Sequence, residues 1–187
     1  RRTNMKNQPI TSKYTSINSK KLPAIYGRLD YSALLNYWES LTKFERTPTI
    51  LDFGCGRYTD HIEHFLSTKG FIYKGYDPYW KGEKENQDSL ICEPFIVICS
   101  NVLNVINDDI ILNKLQNRVR SFSFTANLDK KQSLYYISIY TGKGDAIGRI
   151  TKKDCYQRNQ KISAYKLNSD YLSKNTITSK IGKDFLI

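Results

Sequence analysis

The stretch Thr49-Ile-Leu-Asp-Phe-Gly-Cys-Gly-Arg-Tyr-Thr-Asp60 decides the fold. An apolar run of strand length ends in an acid, Asp52, and then breaks into two glycines one residue apart, Gly54 and Gly56. Glycines at such a break let the main chain turn sharply and let another group approach it closely. The residues on either side of the break set the kind of fold it belongs to.

Upstream, residues 31–44 place Leu34, Leu35, Trp38, Leu41 and Phe44 at helical spacing, with Asp30 as N-cap and Pro48 ending the pattern. Downstream, residues 59–68 predict a helix with Ile62, Phe65 and Leu66 on one face, closed by Gly70. FIYKGYD (71–77) reads as a second strand ending in an acid. PFIVICS (94–100) reads as a third, apolar throughout as a strand buried on both faces is. Asp108 and Asp109 cap a helix carrying Ile110, Ile111, Leu115 and Val119, and LYYISIY (134–140) is a fourth strand. A helix near 164–172 and two short strand-like runs, TITSKI (176–181) and DFLI (184–187), joined through Gly182, complete the pattern. Strands alternating with helices imply a parallel sheet with right-handed crossovers. Ligands bind such sheets at the carboxyl ends of the strands, where strand order reverses. Asp52, Asp77 and Ser100-Asn101 are therefore expected to converge. Residues 1–24, polar and basic, read as an N-terminal arm, and 25–187 as a single domain.

Composition narrows the setting. The 40% hydrophobic content suits a folded globule, and no segment approaches the ~20 apolar residues of a membrane span. The start, RRTNMKNQPI, lacks the apolar stretch of a secretory signal, and Met5 is a candidate natural start. Cys55, Cys92, Cys99 and Cys155 form no CxxC pair and read as reduced thiols, so an intracellular, cytoplasmic protein without a membrane partner is expected. The net charge of +11 is unevenly spread. Residues 1–48 hold nine Lys/Arg against three Asp/Glu, residues 49–109 five against ten, and residues 110–187 fifteen against five. Positive charge thus flanks the segment that carries the glycine turn, the footprint of a polyanion partner; the bland alternative is a chain rich in Lys, Asn, Ile and Tyr throughout.

The turn itself discriminates between ligands. A dinucleotide fingerprint needs GxGxxG, and here Thr59 stands where the third glycine belongs. An anionic pyrophosphate gains nothing from Asp52, whereas a cationic ligand does. LDFGCG in this context resembles the first motif of the class I S-adenosylmethionine-dependent methyltransferases: an apolar strand, an acid, any residue, Gly, any residue, Gly. Asp77 follows Asp52 by 25 positions, where the family's acid holds the ribose hydroxyls. FIVICSNVLNVI is similar to the family's fourth-strand motif, whose following residues line the methionine moiety. The resemblance covers roughly residues 31–187. It implies a three-layer α/β sandwich with a mostly parallel, Rossmann-like, seven-stranded sheet ending in an antiparallel hairpin. It also implies S-adenosylmethionine as cofactor, bound by Asp52, Gly54, Cys55, Gly56, Asp77, Pro78, Ser100 and Asn101.

The acceptor is less legible. A sulfonium methyl is already a strong electrophile, so the protein mainly aligns a nucleophile, and a dedicated base is optional. Asn101, Tyr140 and Tyr156 are the first candidates for side chains facing the reacting atoms. DPYW (77–80) lacks the second proline of the motif used on exocyclic base amines and falls on the wrong strand, and no Pro-Cys dipeptide of a cytosine C5 enzyme occurs. Residues 141–166, with seven Lys/Arg against two Asp, are similar to a segment of small phage and bacterial methyltransferases. Lys152, Lys153, Gln157, Arg158 and Asn159 there are candidate nucleic-acid contacts, and the segment is expected to clamp a nucleic acid together with the arm. Two other classes remain: a methyltransferase for a small molecule or protein side chain, and a non-catalytic partner or sensor that binds the cofactor. His61 and His64 stand three apart on one helix without a third ligand, so no metal is expected.

Overall fold

Four short apolar strands lie side by side in the computed structural model, which describes residues 20–43, 45–106, 108–138, 149–152 and 155–157. They are β1 (Thr49–Phe53), β2 (Ile72–Tyr76), β3 (Ile96–Ser100) and β6 (Leu134–Ser138). All pair in parallel, in the order β2-β1-β3-β6, with Asp52 opposite Gly75 on one side and Ile98 on the other. The chain runs outward from β1 to β2 and then crosses back to β3 on β1's far side, so the order reverses between β1 and β3.

Alternation along each strand divides the core into two layers. Ile50, Tyr73, Ile96, Ile98, Leu134 and Tyr136 face one side. There they meet α1 (Ala24–Arg28), α2 (Tyr31–Leu41) and α3 (Asp60–Thr68) through Ile25, Leu34, Trp38, Ile62 and Leu66. Leu51, Phe53, Val97, Cys99, Tyr135 and Ile137 face the other, against α4 (Glu83–Ile91) and α5 (Asp109–Arg120). The residues of β3 from Ile96 to Cys99 are all fully buried, as an apolar strand covered on both faces must be. The α/β class, the helices on both faces and the parallel sheet agree with the sequence expectation. The expected seven strands do not: among the described residues the sheet has four, and TITSKI, DFLI and the helix near 164–172 lie outside those residues.

Helix caps act as their sequence suggests. The Asp30 carboxylate accepts from Ala33 N and that of Asp108 from Ile110 N and Ile111 N. Four features lack a sequence forecast. The short α1 follows Pro23 and buries Ile25 and Tyr26, and Leu22 before it packs on the core. The polar α4 buries Ser89, whose hydroxyl donates to Gly75 O (2.9 Å). A hairpin of β4 (Ser123–Ala126) and β5 (Asp129–Gln132) turns through Asn127 and Leu128, both at positive φ. A second antiparallel pair, β7 (Arg149–Lys152) and β8 (Cys155–Gln157), lies within the basic segment 141–166, and β8 lies beside the 3-10 turn Leu103–Val105 that follows β3. No helix among the described residues is long and apolar enough to cross a membrane.

Phe95 joins the sheet to α2 and to the β4–β5 hairpin. Its ring lies 5.0 Å from Trp38 and 5.5 Å from Phe124, and it is fully buried. Phe95→Ala is expected to lower the unfolding free energy by about 3–5 kcal/mol, through lost apolar contact and the cavity left behind. Urea denaturation followed by circular dichroism measures the loss, and a change below about 1 kcal/mol contradicts this packing.

Candidate functional site

The two strand-end acids, on neighbouring parallel strands, are both buried. Asp52 is 4% exposed and Asp77 8%. Asp52 Oδ2 accepts hydrogen bonds from Tyr26 OH (2.6 Å) and Tyr73 OH (3.3 Å), reaching across both α1 and β2. Burial raises the Asp52 pKa to about 6; the two tyrosine hydrogen bonds pull it down, and the charge of Asp77 adds to the rise. Asp52 is therefore mostly ionised at neutral pH, as an anion in a dry place.

Asp77 works on main chain. Its Oδ2 accepts from Gly56 N (2.9 Å), and its Oδ1 from Tyr79 N (2.9 Å) and Trp80 N (3.3 Å). One carboxylate thus fastens the turn after β1 to the turn after β2. Asn86 of α4 holds the same place from below, its Oδ1 accepting from Asp77 N and its Nδ2 donating to Asp77 O. Burial raises the Asp77 pKa and the three amide hydrogen bonds oppose that rise. Three of its acceptor positions are filled, leaving one on Oδ2, so the carboxylate has room for one ribose hydroxyl where the sequence suggested two.

The glycine turn closes on protein atoms. Gly54 N and Cys55 N both donate to Tyr76 O (2.8 and 3.1 Å), and Gly54 and Gly56 have φ of 89° and 76°. A Cβ on Gly54 would overlap the Cγ2 methyl of Val102, from the loop after β3. The group that needs bare main chain at Gly54 is that methyl. Gly75 plays a similar part in β2, since a Cβ there would sit 2.9 Å from Cys55 Sγ and 3.0 Å from Tyr73 OH. Burial, then the charges of Asp52 and Asp77, push the Cys55 thiol up, so it is a neutral packing group.

Of the residues singled out in the sequence, Asp52, Gly54, Cys55, Gly56 and Asp77 come together at the carboxyl edge of β1 and β2. Pro78 is exposed in the turn above them. Ser100, half-buried, ends β3, and Asn101, exposed at φ 57°, follows it across the switch point. Lys152 stands in β7 and Tyr156 and Gln157 in β8; Tyr140, Lys153, Arg158 and Asn159 lie outside the described residues. Sequence reasoning missed Tyr26, Tyr73, Asn86 and Val102, which position the acids and the turn. It also missed Lys81, whose Nζ donates to Thr59 Oγ1 (2.8 Å) and pairs with Glu85 (2.9 Å). His61 Nε2 is buried with no hydrogen-bond partner among the described residues. No group of three or more His, Cys, Asp or Glu side chains that could hold a metal occurs among those residues.

No family model, no curated protein and no solved structure matches the chain. S-adenosylmethionine is a sulfonium cation that carries two ribose hydroxyls. Two buried acids at adjacent strand ends suit a cationic nucleoside and repel a pyrophosphate, and Asp77 keeps an acceptor for a sugar hydroxyl. The set fits in charge and acceptor chemistry, while the close approach at Gly54 belongs to Val102.

Gly54→Ala combines a side-chain overlap with a positive φ and is expected to cost about 2–4 kcal/mol; adding Val102→Ala removes the overlap but not the conformational strain, recovering roughly half. Denaturant titration of the single and double variants reads the recovery, and none at all argues against the Gly54–Val102 contact. For Asp52, the folded protein holds its proton more tightly than the unfolded chain, so stability is highest below about pH 4 and falls as the pH rises to about 6. Relative to Asp52→Asn, the wild type is expected to lose about 2–3 kcal/mol across that interval. Parallel pH profiles of the two proteins contradict this if they do not diverge.

Proposed function

We propose that the chain is an S-adenosylmethionine-dependent methyltransferase built on a Rossmann-like sheet and acting on a nucleic acid. The observation that carries the reading is the placement of the Asp52-x-Gly54-x-Gly56 turn at the β1/β3 switch point, beside a second buried acid on the neighbouring strand. When bound, S-adenosylmethionine supplies an electrophilic methyl group. Asp52 contributes a fixed negative charge that favours a cationic ligand at the strand ends. Asp77 holds two loops in place and offers its remaining acceptor position to a sugar hydroxyl. Ser100 and Asn101 stand across the switch point, where they can align an acceptor nucleophile. The basic hairpin β7–β8, beside the turn after β3, supports a polyanionic acceptor at the same edge of the sheet.

Calorimetry with S-adenosylmethionine and with its demethylated product tests the cofactor half. Uptake of both is expected, with proton release near pH 6 on binding of the cationic donor that disappears in Asp52→Asn, and with affinity for the donor falling about tenfold or more, about 1.4 kcal/mol, in that variant. Transfer of labelled methyl groups to bulk RNA or DNA, declining steeply with added salt, tests the acceptor half. Folded protein that takes up neither donor nor product overturns the assignment.

A further inference from the structure

Beside the glycine turn four side chains form a ladder that the acids do not explain. The Arg57 guanidinium lies 5.3 Å from the Tyr58 ring centroid and 5.6 Å from that of Trp80, and the Lys20 ammonium lies 5.5 Å from Tyr58. Arg57 is exposed, Tyr58 and Trp80 are half-buried, and among the described residues the guanidinium makes no hydrogen bond or ion pair. A planar cation with unfilled N–H donors, placed over two aromatic rings, is poised to take phosphate oxygens while the rings take bases. Trp80 can lie beside Arg57 because Asp77 ties the two turns that carry them, through Gly56 N and Trp80 N. Lys20 belongs to the basic lead-in, so the ladder joins the arm to the carboxyl edge of the sheet.

We infer that Lys20, Tyr58, Arg57 and Trp80 form a binding site for single-stranded nucleic acid, which stacks unpaired bases on Tyr58 and Trp80 and sets its phosphates against Arg57 and Lys20. The inference deepens the nucleic-acid half of the proposed function and rests on it for biological meaning, but the binding itself needs no methyl donor. Single strands are favoured over duplex because ring faces are useful only to bases that can unstack. The chain's +11 charge supplies the long-range attraction.

The chain has two tryptophans, and Trp38 is 4% exposed in the core, so a fluorescence response to an added ligand reports Trp80. Titration with a short single-stranded RNA, and separately a DNA of the same sequence, is expected to quench that emission. Arg57→Ala should weaken binding about tenfold and flatten the dependence of log affinity on log salt by roughly one unit. Tyr58→Ala should weaken it about five- to a hundredfold, the range of lost base stacking, while Trp80→Phe should abolish the quench and keep most of the affinity. Because Arg57 is exposed, its variant keeps the test sound even where Tyr58→Ala fails to fold. Quenching by inorganic polyphosphate of equal charge, equal affinity for the duplex, or an unchanged Arg57→Ala overturns the ladder. Donor uptake without any oligonucleotide response overturns the ladder and leaves the methyltransferase reading standing. An oligonucleotide response without donor uptake does the reverse.

Discussion

Three main-chain N–H groups converging on the Asp77 carboxylate are the contact on which the carboxyl edge of this sheet depends. Parallel strands leave their connecting turns unpaired to one another, and a turn opened by two glycines is the least constrained of them. Asp77 supplies the missing cross-link from within the neighbouring strand's end. Its hydrogen bonds to ionised oxygen are stronger than neutral ones, and burial shields them from competing water. The geometry of Gly56, Tyr79 and Trp80 is fixed by one side chain, which is held in turn by Asn86 of α4.

From that clasp follows a vertical ordering of charge. The strand ends hold two buried carboxylates whose pKa values burial raises, with Lys81 the nearby cation that opposes the rise in both. Arg57 and Lys20 lie farther out, on the turns and on the lead-in, above aromatic faces. A cation and a polyanion brought to this edge would find opposite potentials at different depths.

Sequence pattern made the scaffold legible wherever burial is apolar. β1, β2, β3 and β6 stand out because their inward residues are uninterrupted, α3 because Ile62 and Leu66 share a face, and α5 because Ile111, Leu115 and Val119 recur at helical spacing, although Ile110, read with them, is exposed and Leu112, not read, is buried. α4 was illegible for the complementary reason. Its buried residue is Ser89, a hydroxyl on a main-chain carbonyl, and only Leu90 beside it packs on the core, which leaves no apolar stripe to read. The β4–β5 hairpin hides because Leu128, not glycine, takes the second positive-φ place in its turn. At the site the acids and glycines were legible as residues, but their partners were not. Tyr26 and Tyr73 reach Asp52 from 26 and 21 positions away, and Val102 meets Gly54 from the loop after another strand, contacts that only the topology creates. Gly54 therefore carries less information about a ligand than its motif suggests, and Asp77 more about the scaffold.

Asp52 is the residue that packing alone explains least. An asparagine could accept from Tyr26 and Tyr73 through its carbonyl oxygen and would carry no charge into the interior. Burial instead pushes the Asp52 pKa up to about 6 and raises that of Asp77 beside it, so both act against stability at neutral pH. Strain of this kind, concentrated at the switch point of a parallel sheet, is where physical reasoning expects function to be stored. A buried anion is stabilised by whatever cation completes it. Lys81 lies close enough to oppose the rise in the Asp52 pKa, but its ammonium bonds Thr59 and Glu85 rather than Asp52. The uncompensated part of the charge at Asp52 is the structural reason to seek a cationic ligand at this edge.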